Sequence, residues 1–268
     1  MNSTTSPVNR DIRAIDSALC RATIYSALAL AFRPPTSETV VRMIEPENCA
    51  ALATAAALID VGADPALAAV FNDLAAAGRA ELLTLASSYV ALFGHTARGI
   101  IAPYETEYGN EPLFQQPQEL GDLMGFYRAF GLSLRLDRRE RADHISCECE
   151  FMCFLAMKEA YALEHNDATM LETTLKAQKA FLRDHLGRFL PAFASQLGRE
   201  HAAMFYHKLA DLCLRFIAQE ATRMGIRLGA ANLSLRPADD DRVPMACGSA
   251  AECAAMPGAC APEDTDSV

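Results

Sequence analysis

Residues 139–164 constrain this chain more than any other stretch. They read as one uninterrupted helix of about seven turns at 3.6 residues per turn. Placed at 100° per residue, Asp143, Cys147, Glu150 and Phe154 fall on one stripe. His144, Glu148, Phe151 and Leu155 fall on a second, and Ile145, Cys149, Met152 and Ala156 on a third. All three stripes carry apolar side chains, and a helix apolar nearly all round belongs at the centre of a helical protein. Yet the same turns hold Asp143, His144, Glu148 and Glu150. Carboxylates are costly to bury without partners. These acids therefore either cap and pair inside the fold or face a cavity built for something cationic.

The remaining sequence supports a helical frame around that segment. The chain has 268 residues, 51% of them hydrophobic, with no Trp. Ala and Leu dominate and alternating Val/Ile runs are nearly absent, so the expected class is all-α. Periodicity places helices at 11–32, 37–43, 47–60, 65–77, 79–93, 118–130, 168–185, 189–197 and 201–224 besides the central one. That makes a single helical domain of about ten helices. Arg33-Pro34-Pro35 stops the first helix, and Pro65 suits a first turn. Between 94 and 117 the periodicity lapses amid Gly94, Gly99, Pro103, Gly109, Pro112 and Pro117. A loop this long inside a compact domain is functional or disordered; Tyr104, Tyr108 and Phe114 argue against disorder. Residues 1–235 form the expected domain. Residues 236–268, acidic and Cys-containing, read as a disordered tail.

Charge and cysteine usage narrow the function classes. The net charge is −10, and the tail supplies half of it with two Arg against seven acids. Nucleic-acid binding, which needs a basic face, is excluded, whereas a cationic peptide partner fits. The first residues lack the basic-then-apolar pattern of a secretory signal. The most apolar run, 49–59, is too short to span a bilayer, so no stable membrane insertion is expected. Nine Cys, an odd number, point to reduced thiols and a cytoplasmic protein.

Several residues invite chemistry. His144, Cys147, Cys149 and Cys153 resemble a metal cluster, but on a helix Cys147 and Cys149 point about 160° apart and cannot share one tetrahedral ion. The tail carries Cys247, Cys253 and Cys260 interleaved with Met245 and Met256. Their spacing fits no standard zinc or iron–sulfur pattern, although a soft metal is conceivable there, which makes metal binding or delivery one alternative function. Asp143 and His144 are the sharpest pair, with His144 as general base and the acid as its orienter in a small hydrolase. No nucleophile elbow or phosphate-binding glycine loop accompanies them, and no cofactor is expected. The other reading is that Asp143 pairs locally and His144 bonds the neighbouring loop.

Two motifs carry a resemblance. Pro103-Tyr104-Glu105-Thr106-Glu107-Tyr108, followed by a helix and then Glu140-x-x-Asp143-His144-x-x-x-Glu148-x-Glu150-Phe151-Met152, is similar to the TorD/DmsD/NarJ superfamily of chaperones for molybdenum enzymes. Thr106 stands where the family pattern has Ser, and Cys149 where it has Leu. The resemblance covers roughly residues 11–224, and the tail lies outside it. The Pro-Tyr-Glu-Thr-Glu-Tyr form resembles the branch serving type II enzymes of the dimethyl sulfoxide reductase family, such as chlorate and selenate reductases. The resemblance implies a cytoplasmic maturation chaperone, not an enzyme. It would hold the catalytic subunit of such a molybdoenzyme, or its twin-arginine leader, until cofactor insertion. It implies a monomer or a homodimer. It also implies that Asp143 and His144 lie at a client-binding cleft with Pro103, Tyr104, Glu105, Glu107 and Tyr108 on its rim. Glu140, Glu148, Glu150, Phe151 and Met152 are expected to be structural. The chemistry is coherent, because Arg–carboxylate forks are strong and directional.

Overall fold

The computed structural model describes residues 7–59, 66–94, 99–109, 116–135, 140–201 and 203–236. Ten α-helices form among them: α1 Pro7–Ala31, α2 Ser37–Ile44, α3 Pro46–Leu58, α4 Leu67–Ala80, α5 Leu85–Phe93, α6 Gln116–Ala129, α7 Ile145–Glu164, α8 Ala168–Asp184, α9 Leu186–Leu197 and α10 Met204–Met224. Beyond them stand a short 3-10 turn at Glu105–Glu107 and two isolated β-bridges. The class is all-α. Phe114 and the tail 237–268, with Cys247, Cys253 and Cys260, lie outside the described residues.

Helix α7 is the hub. Its Ile145, Cys149, Met152 and Ala156 stripe is fully buried, and so are Glu148, Phe151 and Leu155. Beyond the buried Asp143, the stripe of Cys147, Glu150 and Phe154 faces outward: Glu150 is exposed, while Cys147 and Phe154 are half-buried. Phe151 sits among Phe126, Tyr127, Phe130, Phe154 and Phe181, with ring centroids 4.7 to 6.5 Å away. Burying each such ring stabilises the fold by about 1.5–3 kcal/mol.

Helix α1 runs antiparallel to α7, since Arg21 meets Glu159 while Arg33 meets Glu150. Its window Ile12–Ala31 is long and apolar enough to cross a bilayer. Half of that window is buried in the protein, and its Arg21 is sealed against Glu159 at 2.8 Å. Both features mark a core helix.

Several boundaries depart from periodicity, two of them informatively here. Residues 78–80 extend α4 instead of opening α5, and a turn at 81–84 leaves Leu83 almost fully exposed. There the Glu81 carboxylate accepts the amides of Met204 and Phe205 at 2.8 and 3.1 Å, capping α10 from a distance. Helix α9 starts at Leu186 rather than 189, one residue after α8's C-cap His185. A Cβ on Gly187 would meet the Leu182 carbonyl oxygen at 2.2 Å, so the tight α8–α9 join requires glycine.

Candidate functional site

The two sequence motifs close on each other. Tyr104 and His144 form an antiparallel bridge. The Glu105 amide donates to the Asp143 carbonyl at 2.8 Å, and the Ile145 amide donates to the Pro103 carbonyl at 2.9 Å. This pairing holds His144 in extended backbone. It explains why α7 begins at Ile145 and not at 139. His144 is the N-cap, with φ −72° and ψ 135°, and its Nδ1 accepts the Ser146 amide at 3.1 Å. The ring is 1% exposed. Burial first, then the Arg33 and Arg141 charges, holds its pKa down to about 3, so it is neutral.

Asp143 is fully buried, and both its oxygens are engaged. Oδ2 accepts the Thr106 hydroxyl at 2.7 Å, the Thr106 amide at 3.2 Å and Arg141 Nη2 at 2.8 Å. Oδ1 accepts Arg141 Nε at 3.0 Å. Asp143 therefore pairs locally and pins the loop to the head of α7. Thr106 supplies the hydroxyl of the family's Ser. Neither Asp143 nor His144 lies open to a cleft. They do not form a base–orienter pair either, because Asp143 is spent on Arg141 and Thr106 and His144 on Ser146. Both side chains are thus engaged inside the fold, at the junction of the loop and the head of α7.

The other motif residues fill in around this anchor. Arg141 reaches Glu107 at 3.3 Å and lies 4.3 Å over the Tyr104 ring. Burial and then the Glu140 charge push the Tyr104 hydroxyl up to about 12, and burial raises Glu140 itself. The enclosed Tyr108 donates its hydroxyl to the Ala102 carbonyl at 2.9 Å. Glu105 is buried, accepting from Arg188 at 3.0 and 3.1 Å and facing His185 Nδ1 at 3.1 Å. Glu148 is fully enclosed. Burial, followed by the Glu105 and Asp143 charges, drives its pKa well above the carboxylate range, so it is a neutral acid. Met152 is buried, whereas Glu150 pairs at the surface with Arg33 at 2.6 Å.

An open cleft of about 830 Å³ lies between α6 and the α8–α9 junction. Glu105, Glu119, Asp122 and Asp184 line it with Arg188 and His185. Gly121, Gly125, Phe126 and Ala129 supply its apolar part. A Cβ on Gly121 or Gly125 would meet nothing within 4 Å, so the α6 surface there is bare. Of the residues expected from sequence, Glu105 alone is among the cleft-lining ones. Glu119, Asp122, Asp184, His185 and Arg188 were missed. Their one legible trace is the pair of glycines inside α6, each costing about 1 kcal/mol relative to Ala.

A C-terminal strap completes the site. Gly225 ends α10 in the left-handed region, φ 62°. The Gly229 amide then donates to the Gly187 carbonyl at 2.9 Å. Gly109 donates to the Ser234 carbonyl at 2.9 Å, Arg236 to the Glu107 carbonyl at 2.8 Å, and Tyr108 bridges Leu235. Arg236, which composition assigns to the tail, is 1% exposed, and its Nη2 meets Glu119 at 2.7 Å.

Among the described residues, no three His, Cys, Asp or Glu side chains group to hold a metal ion. The six described cysteines are free thiols, and burial pushes Cys147 up to about 12, away from nucleophilic thiolate.

Fold and site define the class as an all-helical protein whose central helix is capped by a paired polar loop beside an acidic cleft. The chain belongs to the nitrate reductase delta subunit family, whose profile matches residues 50–195, just over half of it, and so to the TorD/NarJ superfamily. It is 31% identical over 140 residues to the chaperone protein TorD of Vibrio cholerae, a match covering 52% of this chain and 61% of TorD. It is 29% identical over 210 residues to the perchlorate reductase assembly chaperone protein of Dechloromonas aromatica, covering 77% of this chain and 90% of that protein. It is 34% identical over 117 residues to the chlorate reductase assembly chaperone protein of Ideonella dechloratans, covering 42% and 58%. The chain thus spans about three-fifths of the length of the TorD and chlorate reductase relatives it matches.

Proposed function

We propose that this protein is a cytoplasmic assembly chaperone for a molybdenum oxidoreductase. In this reading the acidic cleft receives an arginine-bearing segment of the catalytic subunit, its twin-arginine leader. One observation carries the proposal: a cleft of about 830 Å³ presents four carboxylates beside a bare apolar helix face. Guanidinium groups fork onto carboxylates. The apolar stretch after them suits the Gly121–Gly125 surface of α6. Membership of the family and the names of the relatives, assembly chaperones of perchlorate, chlorate and selenate reductases, support the same reading. Asp143, His144 and Thr106 act at one remove, holding the loop that carries Glu105 into the cleft. A small hydrolase built on His144 is disfavoured by the ring's burial and its engaged Nδ1.

The test has two arms. Tagged protein recovered from its native cytoplasm is expected to bring down one molybdoenzyme catalytic subunit with its leader attached. In calorimetry a peptide with adjacent arginines is expected to bind wild type, more weakly as salt rises. Asp122→Asn combined with Asp184→Asn is expected to weaken it at least tenfold. Equal binding by the double variant, or recovery of no leader-bearing enzyme, sinks the proposal.

A further inference from the structure

We infer that Arg236 is an internal stand-in for a client arginine, and that a client guanidinium taking Glu119 from it releases the strap from the 104–109 loop. The inference rests on the reading that the cleft receives an arginine-bearing peptide.

Three acids of the site, Glu105, Asp143 and Glu119, are each tied to a cation of the chain itself, whereas Glu148 is buried without a hydrogen-bond partner. Glu105 is held on both oxygens by Arg188 and His185, which belong to the α8–α9 framework. Asp143 is forked by Arg141, two residues away. Glu119 differs in two ways. Its cation arrives from the end of the strap, 117 residues along the chain. Moreover, Arg236 engages Oε1 alone, while the buried Oε2 has no hydrogen-bond partner. A carboxylate that lines an open cleft with an unused oxygen is ready to accept a fork, which is worth more than a single charge-assisted bond. With the cleft empty, that carboxylate, a quarter exposed and with Oε2 buried, still takes a counter-charge from the fold. Arg236 provides it.

The consequence follows from what else residue 236 does. Its amide donates to the Glu107 carbonyl, and the Gly109 amide donates to Ser234 beside it. Those two bonds and the Tyr108–Leu235 bridge fasten the strap to the loop. Glu107 in turn pairs with Arg141, which holds Asp143. Drawing Arg236 off Glu119 removes a side-chain anchor of that register. Occupancy of the cleft is thereby reported at the strap, and the Pro103–Ile145 pairing, which does not involve Arg236, stays intact.

Hydrogen exchange on the full chain tests this, with a synthetic peptide carrying two adjacent arginines and an apolar stretch as probe. In wild type the peptide is expected to speed exchange at the Gly109 and Arg236 amides at least fivefold and to leave the Ile145 amide unchanged. Arg236→Gln is expected to exchange fast at Gly109 without peptide. It should also bind the peptide about tenfold tighter, the gain when a closed state populated roughly nine-tenths of the time is removed. Two results overturn the inference: peptide binding that leaves or slows those amides, or a folded Arg236→Gln that binds no tighter than wild type. If Arg236→Gln does not fold, the wild-type exchange decides alone. Failure of the peptide to bind either protein removes the cleft reading as well, whereas binding without a strap response removes this inference only.

Discussion

Two ionic clusters in this molecule use the same chemistry at different distances from water. The first ties α1, α7, α8 and α10 together. Arg21 forks onto Glu159 at 2.8 and 3.1 Å, and Arg223 forks onto Glu220 at 2.8 and 2.9 Å. Gln178 bridges the halves, donating to Glu159 at 2.8 Å and accepting from Arg223 at 3.1 Å, and Tyr25 donates to Glu220 at 3.3 Å. Side chains of Arg21 and Glu220 are 3% and 0% exposed. The second cluster is the loop site, where Arg141 is 40% exposed and Arg188 28%. In the first, Arg21, Glu159 and Glu220 are sealed, and Arg223 alone keeps part of its side chain, 22%, exposed. In the second, Arg141 and Arg188 keep a wet edge, and at the Arg236 pair the wet edge belongs to Glu119, 25% exposed, so partners can be traded there at lower cost than at Arg21–Glu159. The sealed cluster fixes helix register. The open-edged one is suited to meeting a charged ligand.

The largest effect that tests this contrast is Glu159→Ala. Burial alone would raise the Glu159 pKa, yet Arg21 and Gln178 hold it below the usual carboxylate value, so the pair is ionised. Removing the acid strands Arg21, and a loss of about 3–5 kcal/mol is expected in denaturant unfolding. A loss below about 1 kcal/mol would erase the distinction between the clusters.

A second, smaller effect belongs to His144. Its folded pKa of about 3 lies below the unfolded value of about 6.5, so the unfolded chain takes the proton first. The contribution is fully present above pH 6.5 and is lost as pH falls toward 3. His144→Asn keeps a capping side chain without the titration. The stability gap between wild type and this variant should shift against wild type across that window, and a constant gap would mean that His144 is not buried neutral. The smallest effect is Glu150→Ala. Both partners of its pair with Arg33 are well exposed, so a change of about 0–1 kcal/mol, further reduced by salt, is expected. A cost comparable to Glu159→Ala would show that exposure does not sort these pairs.

Much of the candidate site was visible in the chain, but its roles were not. The motif residues of 103–108 and 140–152 do come together, with the Thr106 hydroxyl on Asp143. The sequence around Asp143 and His144 left local pairing and a cleft role both open, the latter by resemblance alone; in the fold, Arg141 from two residues away and Thr106 from 37 residues away take Asp143. Arg188 and Glu119 carried no motif, and Arg236 sat in a stretch whose composition reads as tail. The glycines of α6 were the one trace of the cleft wall.

The sequence by itself determined the helical class, the burial of the Ile145–Ala156 stripe and the positions where Pro and Gly interrupt helices. Those features depend on contacts three or four residues apart and on local backbone preference, so a linear pattern records them. Only the tertiary structure decided where α7 begins, which arginine serves which carboxylate and where the cleft opens. Each of those depends on groups separated by tens to more than a hundred residues: the loop amide of Glu105 on Asp143, Arg188 on Glu105, Arg236 on Glu119. A charge in a sequence has no stated partner, and the cost of burying it is settled only when the packed helices bring one within hydrogen-bonding distance.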